Sequence, residues 1–217
     1  MAEILTPSFL IQPTVEATPI SVWPTAASLD LRDELHPIPS LHSLDHDKPP
    51  MRIALGWHPR GLAIAAEIRG KTLPPKSEPL QNDADDRFTI GIDTRDTKTI
   101  HRAGKFCHRF HLTPGDELGE LDPSIAAAVI PRATQDAPIA SFDTSAVAAE
   151  FLDDGYRIVA LVDADALNGF DPSFSDRIGL HVQLHDRELG IVPYWGDPNL
   201  PGSADPSLWA SVKLQPQ

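Results

Sequence analysis

Phe88-Thr-Ile-Gly-Ile-Asp-Thr-Arg-Asp96, a basic loop, and then Phe106-Cys-His-Arg-Phe-His-Leu112 decide how this chain folds. Side chains alternate faces along an extended backbone, so Phe88, Ile90 and Ile92 share one side of the first run. The same period puts Cys107, Arg109 and His111 together on one face of the second run. Neither run keeps the three-to-four-residue recurrence of a helix. Both read as strands, joined by a turn that begins at Asp93.

The pattern repeats on either side. Met51, Ile53, Leu55 and Trp57 alternate with Arg52, Ala54 and Gly56, His58-Pro-Arg-Gly61 supplies a turn, and Leu62, Ile64, Ala66 and Ile68 return. Further on, Asp153-Asp-Gly155 turns into Tyr156-Arg-Ile-Val-Ala-Leu-Val162, and Ile178-Gly-Leu-His-Val-Gln-Leu-His185 follows. Ser124 to Val129 reads as a short helix or a strand, and the Ala/Pro/Asp-rich stretch to about Ser145 reads as loop. Short strands at this spacing, with no internal repeat, predict an all-β chain: a two-sheet antiparallel β-sandwich of the lectin-like or immunoglobulin-like kind.

The first fifty residues differ. They hold eight of the 22 prolines and a charge of −5, which excludes long helices and central strands. The expected organisation is a Pro-rich extended arm over 1–50, with edge strands around Phe9–Val15 and Ile20–Trp23, packed on a sandwich domain over 51–217. Trp23, next to Pro24, is expected to plug an edge.

With 217 residues and 41% hydrophobic content the chain buries one substantial core. A formal charge of −13 repels phosphate backbones and anionic lipid, so neither nucleic acid nor membrane is expected as a partner; a neutral ligand or a cation fits better. Met1 to Leu10 has neither a basic start nor a continuous apolar run, and Cys107 is the single cysteine. Together these predict a cytoplasmic location.

In order along the chain, Gly61-Leu-Ala-Ile-Ala-Ala-Glu-Ile-Arg69, Asp86-Arg-Phe-Thr-Ile-Gly-Ile-Asp93, Gly155-Tyr-Arg-Ile-Val-Ala-Leu-Val162, Ile178 to Asp186, Trp195-Gly-Asp-Pro198, Asp205-Pro-Ser207 and Leu214 match successive motifs of one family. From about Met51 to Leu214 the chain resembles carbohydrate-binding module family 9 and its DOMON-like relatives. The resemblance implies a lectin-like sandwich that binds sugar on a concave face, often with structural calcium. Family members clamp the sugar between two tryptophans, since the apolar face of a pyranose stacks on aromatic rings. At the matching positions this sequence has Asp83 and Ala204, which implies weak binding of simple glucans and xylans. Gln183 matches a polar position of the family's binding face, and Thr89 and His111 fall where members carry polar contacts.

The expected ligand-binding set is Thr89, Arg109, His111, His181, Gln183, His185 and Trp195. Trp57 and Trp209 read as core. Trp195, beside Tyr194 in a Pro/Gly-rich loop, reads as a relocated stacking platform or as a buried anchor for the loop. Arg95, Lys98, Arg102, Lys105 and Arg109 form a basic island against the sign of the whole molecule, read as a solvated loop paired with carboxylates or as a site for an anionic group such as a uronic acid or phosphate. Convergence of Cys107, His111, His181 and His185 would suit zinc, and Asp83, Asp85, Asp86, Asp93 and Asp96 are the candidates for calcium. No nucleophile elbow, phosphate loop or zinc-protease helix is present. The leading reading is therefore a non-catalytic carbohydrate-binding domain. Two alternatives stand beside it: an interaction domain that has lost its sugar, and a metal-dependent enzyme built on the His/Cys face.

Overall fold

The computed structural model describes residues 13–40, 49–75 and 86–216. Its strands are β1 Thr14–Pro19, β2 His36–Ile38, β3 Met51–His58, β4 Gly61–Arg69, β5 Arg87–Asp93, β6 Cys107–Thr113, β7 Ser124–Ala128, β8 Val147–Leu152, β9 Gly155–Asp163, β10 Arg177–Asp186, β11 Gly190–Pro193 and β12 Ala210–Leu214. They form one 12-stranded ladder in the order β7-β6-β5-β10-β12-β1-β3-β4-β9-β8, with β11 beside β10 and β2 beside β3. Among the described residues the helical pieces are short 3-10 turns, of which Leu29–Glu34 is the longest. The all-β sandwich read from the sequence is the architecture found.

The ladder folds into two layers. Phe88, Ile90 and Ile92 of β5, Phe110 and Leu112 of β6, and Ile178, Leu180, Val182 and Leu184 of β10 form one inner face. Against it lie Ile53, Leu55 and Trp57 of β3, Leu62, Ile64 and Ile68 of β4, and Tyr156, Ile158 and Val162 of β9, all in one continuous core. The predicted β3–β4 hairpin pairs from Met51↔Ile68 to His58↔Gly61. Ser124 to Ala128 is a strand, because Ile125 pairs opposite Leu112 and buries its side chain.

The arm departs from expectation. Instead of an edge strand, β1 is the seam of the molecule: Thr14 to Ala17 runs parallel to β12, and Thr18 and Pro19 pair in parallel with β3. Pro13 and Pro19 bracket the strand rather than interrupt it, and Val15 and Ala17 enter the core at 3% and 0% exposure, so the proline restriction is met at the ends. The part of the predicted first strand before Pro13 lies outside the described residues. No strand forms at Ile20–Trp23. Instead Ile20, Trp23, Leu31 and Leu35 pack on the outer face of the second layer, against Ala63, Ala65, Val159 and Leu161. Trp23 caps the β3–β4 turn, its ring stacked 5.9 Å from His58 and its Nε1 donating to Asp163 Oδ1 at 2.9 Å.

A buried ion cluster ties the layers at one end. Lys71, just beyond β4, donates Nζ to Asp86 Oδ2 at 3.2 Å and to Asp186 Oδ2, with all three side chains at 0–1% exposure. Asp186 Oδ1 also accepts Glu188 N and Leu189 N, closing the turn between β10 and β11. Burial, then the charges of Asp186 and Asp86, push the Tyr156 hydroxyl far above its ordinary range.

Candidate functional site

The face of the first layer opposite the core carries the chemistry. Strand β5 lies between β6 and β10, and the register aligns Gln183, Thr89 and His111 in one row, His181, Gly91 and Arg109 in the next, and Gly179, Asp93 and Cys107 beyond. The predicted alternation is thus realised on one shared face.

It is not one open cleft. Gly91, in the middle of the face, is where Trp209 crosses: a Cβ there would meet the Trp209 ring at 3.0 Å and His181 Cβ at 3.1 Å. The Trp209 indole stacks on His181 with centroids 6.1 Å apart, donates Nε1 to Gly202 O at 2.7 Å, and packs with Ala103, Cys107 and Ile130. Trp209 precedes β12 rather than lying within it, but it is core, as Trp57 is.

On one side of this partition, His181, Gln183 and Trp195 line a depression with Pro193, Leu200 and Leu208, of about 80 Å³. Its floor is polar and short of partners: among the described residues His181 Nε2 and Gln183 Oε1 are buried without a hydrogen bond of good geometry, although the residues themselves are only 8% exposed. Burial pushes the His181 imidazole down to about 4. The nearby Gln183 side chain opposes that shift, while Arg109 and His185 reinforce it. The ring is neutral at pH 7.

The tyrosine and the tryptophan of the loop divide the two expected roles. Tyr194 is the anchor, 2% exposed, its hydroxyl donating to Ile38 O at 2.6 Å and its pKa pushed up by burial to about 12. Trp195 is half-buried, packed edge-on against Tyr194 at 4.8 Å, and donates Nε1 to Pro39 O at 3.2 Å. Leu200, Gly202 and Leu208 were not singled out from sequence. The only signal was the density of Pro, Asn and Gly after Trp195.

The other expected residues share the face but not the depression. Thr89, 1% exposed, holds His111 by an Oγ1···Nδ1 contact of 3.0 Å. Arg109 lies with Cys107 beside Ile130 and Ala133, across the partition. His185 stands half-buried between Arg87 and Ile191 in register. Burial, with the charge of Asp93, pushes the Cys107 thiol up to about 11.

Among the described residues no three His, Cys, Asp or Glu side chains converge as metal ligands, so the zinc arrangement expected of the His/Cys face does not form. Of the calcium candidates, Asp83 and Asp85 lie outside the described residues. Asp86 is ion-paired to Lys71, Asp93 accepts Arg95 N and Thr97 N, and Asp96 pairs with Lys98 and accepts Ser211 Oγ. Asp83, one of the two clamp positions, is outside the description for the same reason; Ala204, the other, offers no ring. One catalytic-looking contact is a capping network. Ser207 Oγ and Asp205 Oδ2 both meet Nδ1 of His101, at 3.1 and 3.2 Å, while Asp205 caps the turn Pro206–Leu208. A relay through the imidazole needs opposite ring nitrogens.

No family model and no curated protein matches the sequence. The fold is matched by solved structures: a carbohydrate-binding module of family 9 from Caldicellulosiruptor kristjanssonii in complex with cellotriose, at 15% identity over 94% of this chain and 95% of that one, with a TM-score of 0.61. A carbohydrate-binding module of family 9 from the same organism, in complex with glucose, aligns at 13% identity over 94% and 97%, TM-score 0.61. A candidate carbohydrate-binding protein from Bacteroides uniformis aligns at 9% identity over 93% and 97%, TM-score 0.57. The chain has a divergent version of the family 9 fold.

Proposed function

We propose that the chain is a non-catalytic saccharide-binding domain whose site is the depression beneath Trp195. The observation that supports this reading is the meeting of a half-exposed indole with two buried polar atoms, Gln183 Oε1 and His181 Nε2, that lack a hydrogen bond of good geometry among the described residues. A buried acceptor without a donor costs about 1–3 kcal/mol, and a sugar hydroxyl repays that cost while its ring face lies on the tryptophan. The neutral His181 favours an uncharged ligand. The depression, at about 80 Å³, is well under the ~300–1,000 Å³ of clefts that engulf a ligand. It therefore holds part of one sugar unit, and with one platform instead of a clamp the expected dissociation constant is near 1 mM, about −4 kcal/mol.

The test is a nuclear magnetic resonance titration with cellotriose and xylotriose, following the Trp195 indole N–H and the Gln183 amide. Saturable shifts in both, lost in Gln183→Ala, support the reading. Silence of both signals across neutral saccharides overturns it. One observation favours the alternative of an interaction domain without a sugar: Trp195 Nε1 is bonded to Pro39 O. If anchoring is its whole role, Trp195→Ala lowers the melting temperature sharply and no saccharide protects the wild-type protein.

A further inference from the structure

The basic island between β5 and β6 takes no part in the Trp195 depression, and its cations do different things. Lys98 pairs with Asp96 and reaches Trp209 O, and Arg102 donates to Arg132 O. Arg95 is set between two phenyl rings, its guanidinium carbon 4.8 Å from the centroid of Phe106 and 5.3 Å from that of Phe174. Lys105 Nζ lies 5.2 Å from the Phe106 centroid.

The setting is rigid. Thr94 Oγ1 donates to Asn168 O at 2.9 Å, and Asn168 Nδ2 donates to Lys105 O at 2.9 Å, so the loop after β5 is tied to the loop before β10. Gly169, at φ +83°, lets that second loop lie on Phe106, where a Cβ would come within 2.8 Å of the ring. Asp171 is close enough for Arg95 to help hold its carboxyl below the usual range, after its bonds to Ser173. Its Oδ1 is taken by Ser173 N and Oγ at 3.0 and 2.6 Å, and among the described residues no ion pair or hydrogen bond claims the Arg95 guanidinium. Phe174 is 77% exposed. A guanidinium lying over aromatic rings still offers N–H donors for a forked contact with a carboxylate.

We propose that Phe106, Arg95 and Phe174, with Lys105 at the rim, form a second ligand site, directed to an acidic sugar whose ring lies on Phe174 and whose carboxylate takes the donor edge of Arg95. A phosphate group would use the cations but leave the exposed ring without a role. A protein partner needs roughly 1,000 Å² of complementary surface, whereas Phe174 is the one large exposed hydrophobic of these two loops among the described residues. The site shares no residue with the Trp195 depression and stands or falls apart from it.

The experiment is isothermal titration of the whole chain with trigalacturonate, cellotriose and inorganic phosphate at 50 and 300 mM salt. Trigalacturonate is expected to bind more tightly than cellotriose or phosphate and to weaken as salt rises. Arg95→Gln and Phe174→Ser each weaken it at least tenfold, Phe174→Leu weakens it although its bulk is kept, and Gln183→Ala leaves it unchanged. Because Phe174 is exposed, its variants melt like wild type. Binding of phosphate as tight as that of trigalacturonate, loss of trigalacturonate binding in Gln183→Ala instead, no binding of trigalacturonate at millimolar concentration, or self-association that disappears in Phe174→Ser would each overturn the proposal, the last by making Phe174 a contact for another protein surface.

Discussion

Gln183 and His111 face the same way in one row, yet predict opposite behaviour. His111 is bonded to a fully buried threonine, so His111→Ala leaves Thr89 Oγ1 without a partner and is expected to cost about 1–3 kcal/mol. Gln183 Oε1 has no hydrogen bond of good geometry among the described residues, and Gln183→Ala is expected to lower the melting temperature less than His111→Ala does while removing ligand shifts. Melts of the two variants side by side check this; equal loss of stability would retire Gln183 as a ligand residue. His181 adds a pH dependence. Its imidazole pKa is lower folded, at about 4, than the 6.5 it has when unfolded. Between those values the unfolded chain binds the extra proton, so stability is full above about pH 6.5 and is lost as pH falls toward 4, by on the order of 3 kcal/mol. His108, also held down by burial, acts in the same direction. Urea titrations at pH 7.5 and 5 are expected to show this loss, and His181→Gln to reduce it. Cys107, with its thiol up at about 11, is expected to resist iodoacetamide at pH 8 until the chain is unfolded, since the thiolate is the reactive form.

At the scale of elements, the connections matter more than the strands themselves. The β4 exit is tied to the β10–β11 turn by Lys71 with the two carboxylates it meets, Asp86 and Asp186, and by Thr72 and Leu73, whose N–H groups donate to Glu188. Lys71→Met would leave two buried carboxylates uncompensated and is expected to destabilise by about 3–5 kcal/mol, read as a shift of the urea midpoint. Strand β1 joins the layers by pairing with β12 at one end and with β3 at the other. Val15→Asp buries a charge at this seam and is expected to abolish cooperative unfolding rather than merely shift it. Neither consequence was legible in the sequence, where the arm read as edge strands and nothing singled out Lys71.

At the scale of the whole molecule, the two proposed sites differ in charge. A formal charge of −13 covers a sandwich that carries one neutral depression under Trp195 and one cationic ridge at Phe174. The two are expected to respond differently to salt: binding of neutral oligosaccharides at Trp195 should be flat between 50 and 300 mM, because a neutral ligand gains nothing from screening. Titrations with cellotriose at both salt concentrations check it. Among the described residues no helix is long and apolar enough to cross a membrane.

Period-two alternation from Met51 onward determined the all-β class, the β3–β4 hairpin and two separate trios, Cys107, Arg109 and His111 on one face of their strand and His181, Gln183 and His185 on one face of theirs, because side-chain direction along a strand follows from backbone geometry alone; the pairing of β5 between β6 and β10 made those faces one. The order of short motifs was enough to point to the family 9 fold at identities of 9–15%. What the tertiary structure decided is which of those residues meet. Register placed Gly91 at the centre of the face, and only its missing side chain lets Trp209, distant in sequence, lie across and partition it. The fold likewise set Trp195 beside Gln183 and closed two phenyl rings on Arg95. Strands β2, β8 and β11 were missed for a related reason: they are short and hold few buried apolar side chains, so pairing with a longer neighbour, not their own periodicity, makes them strands.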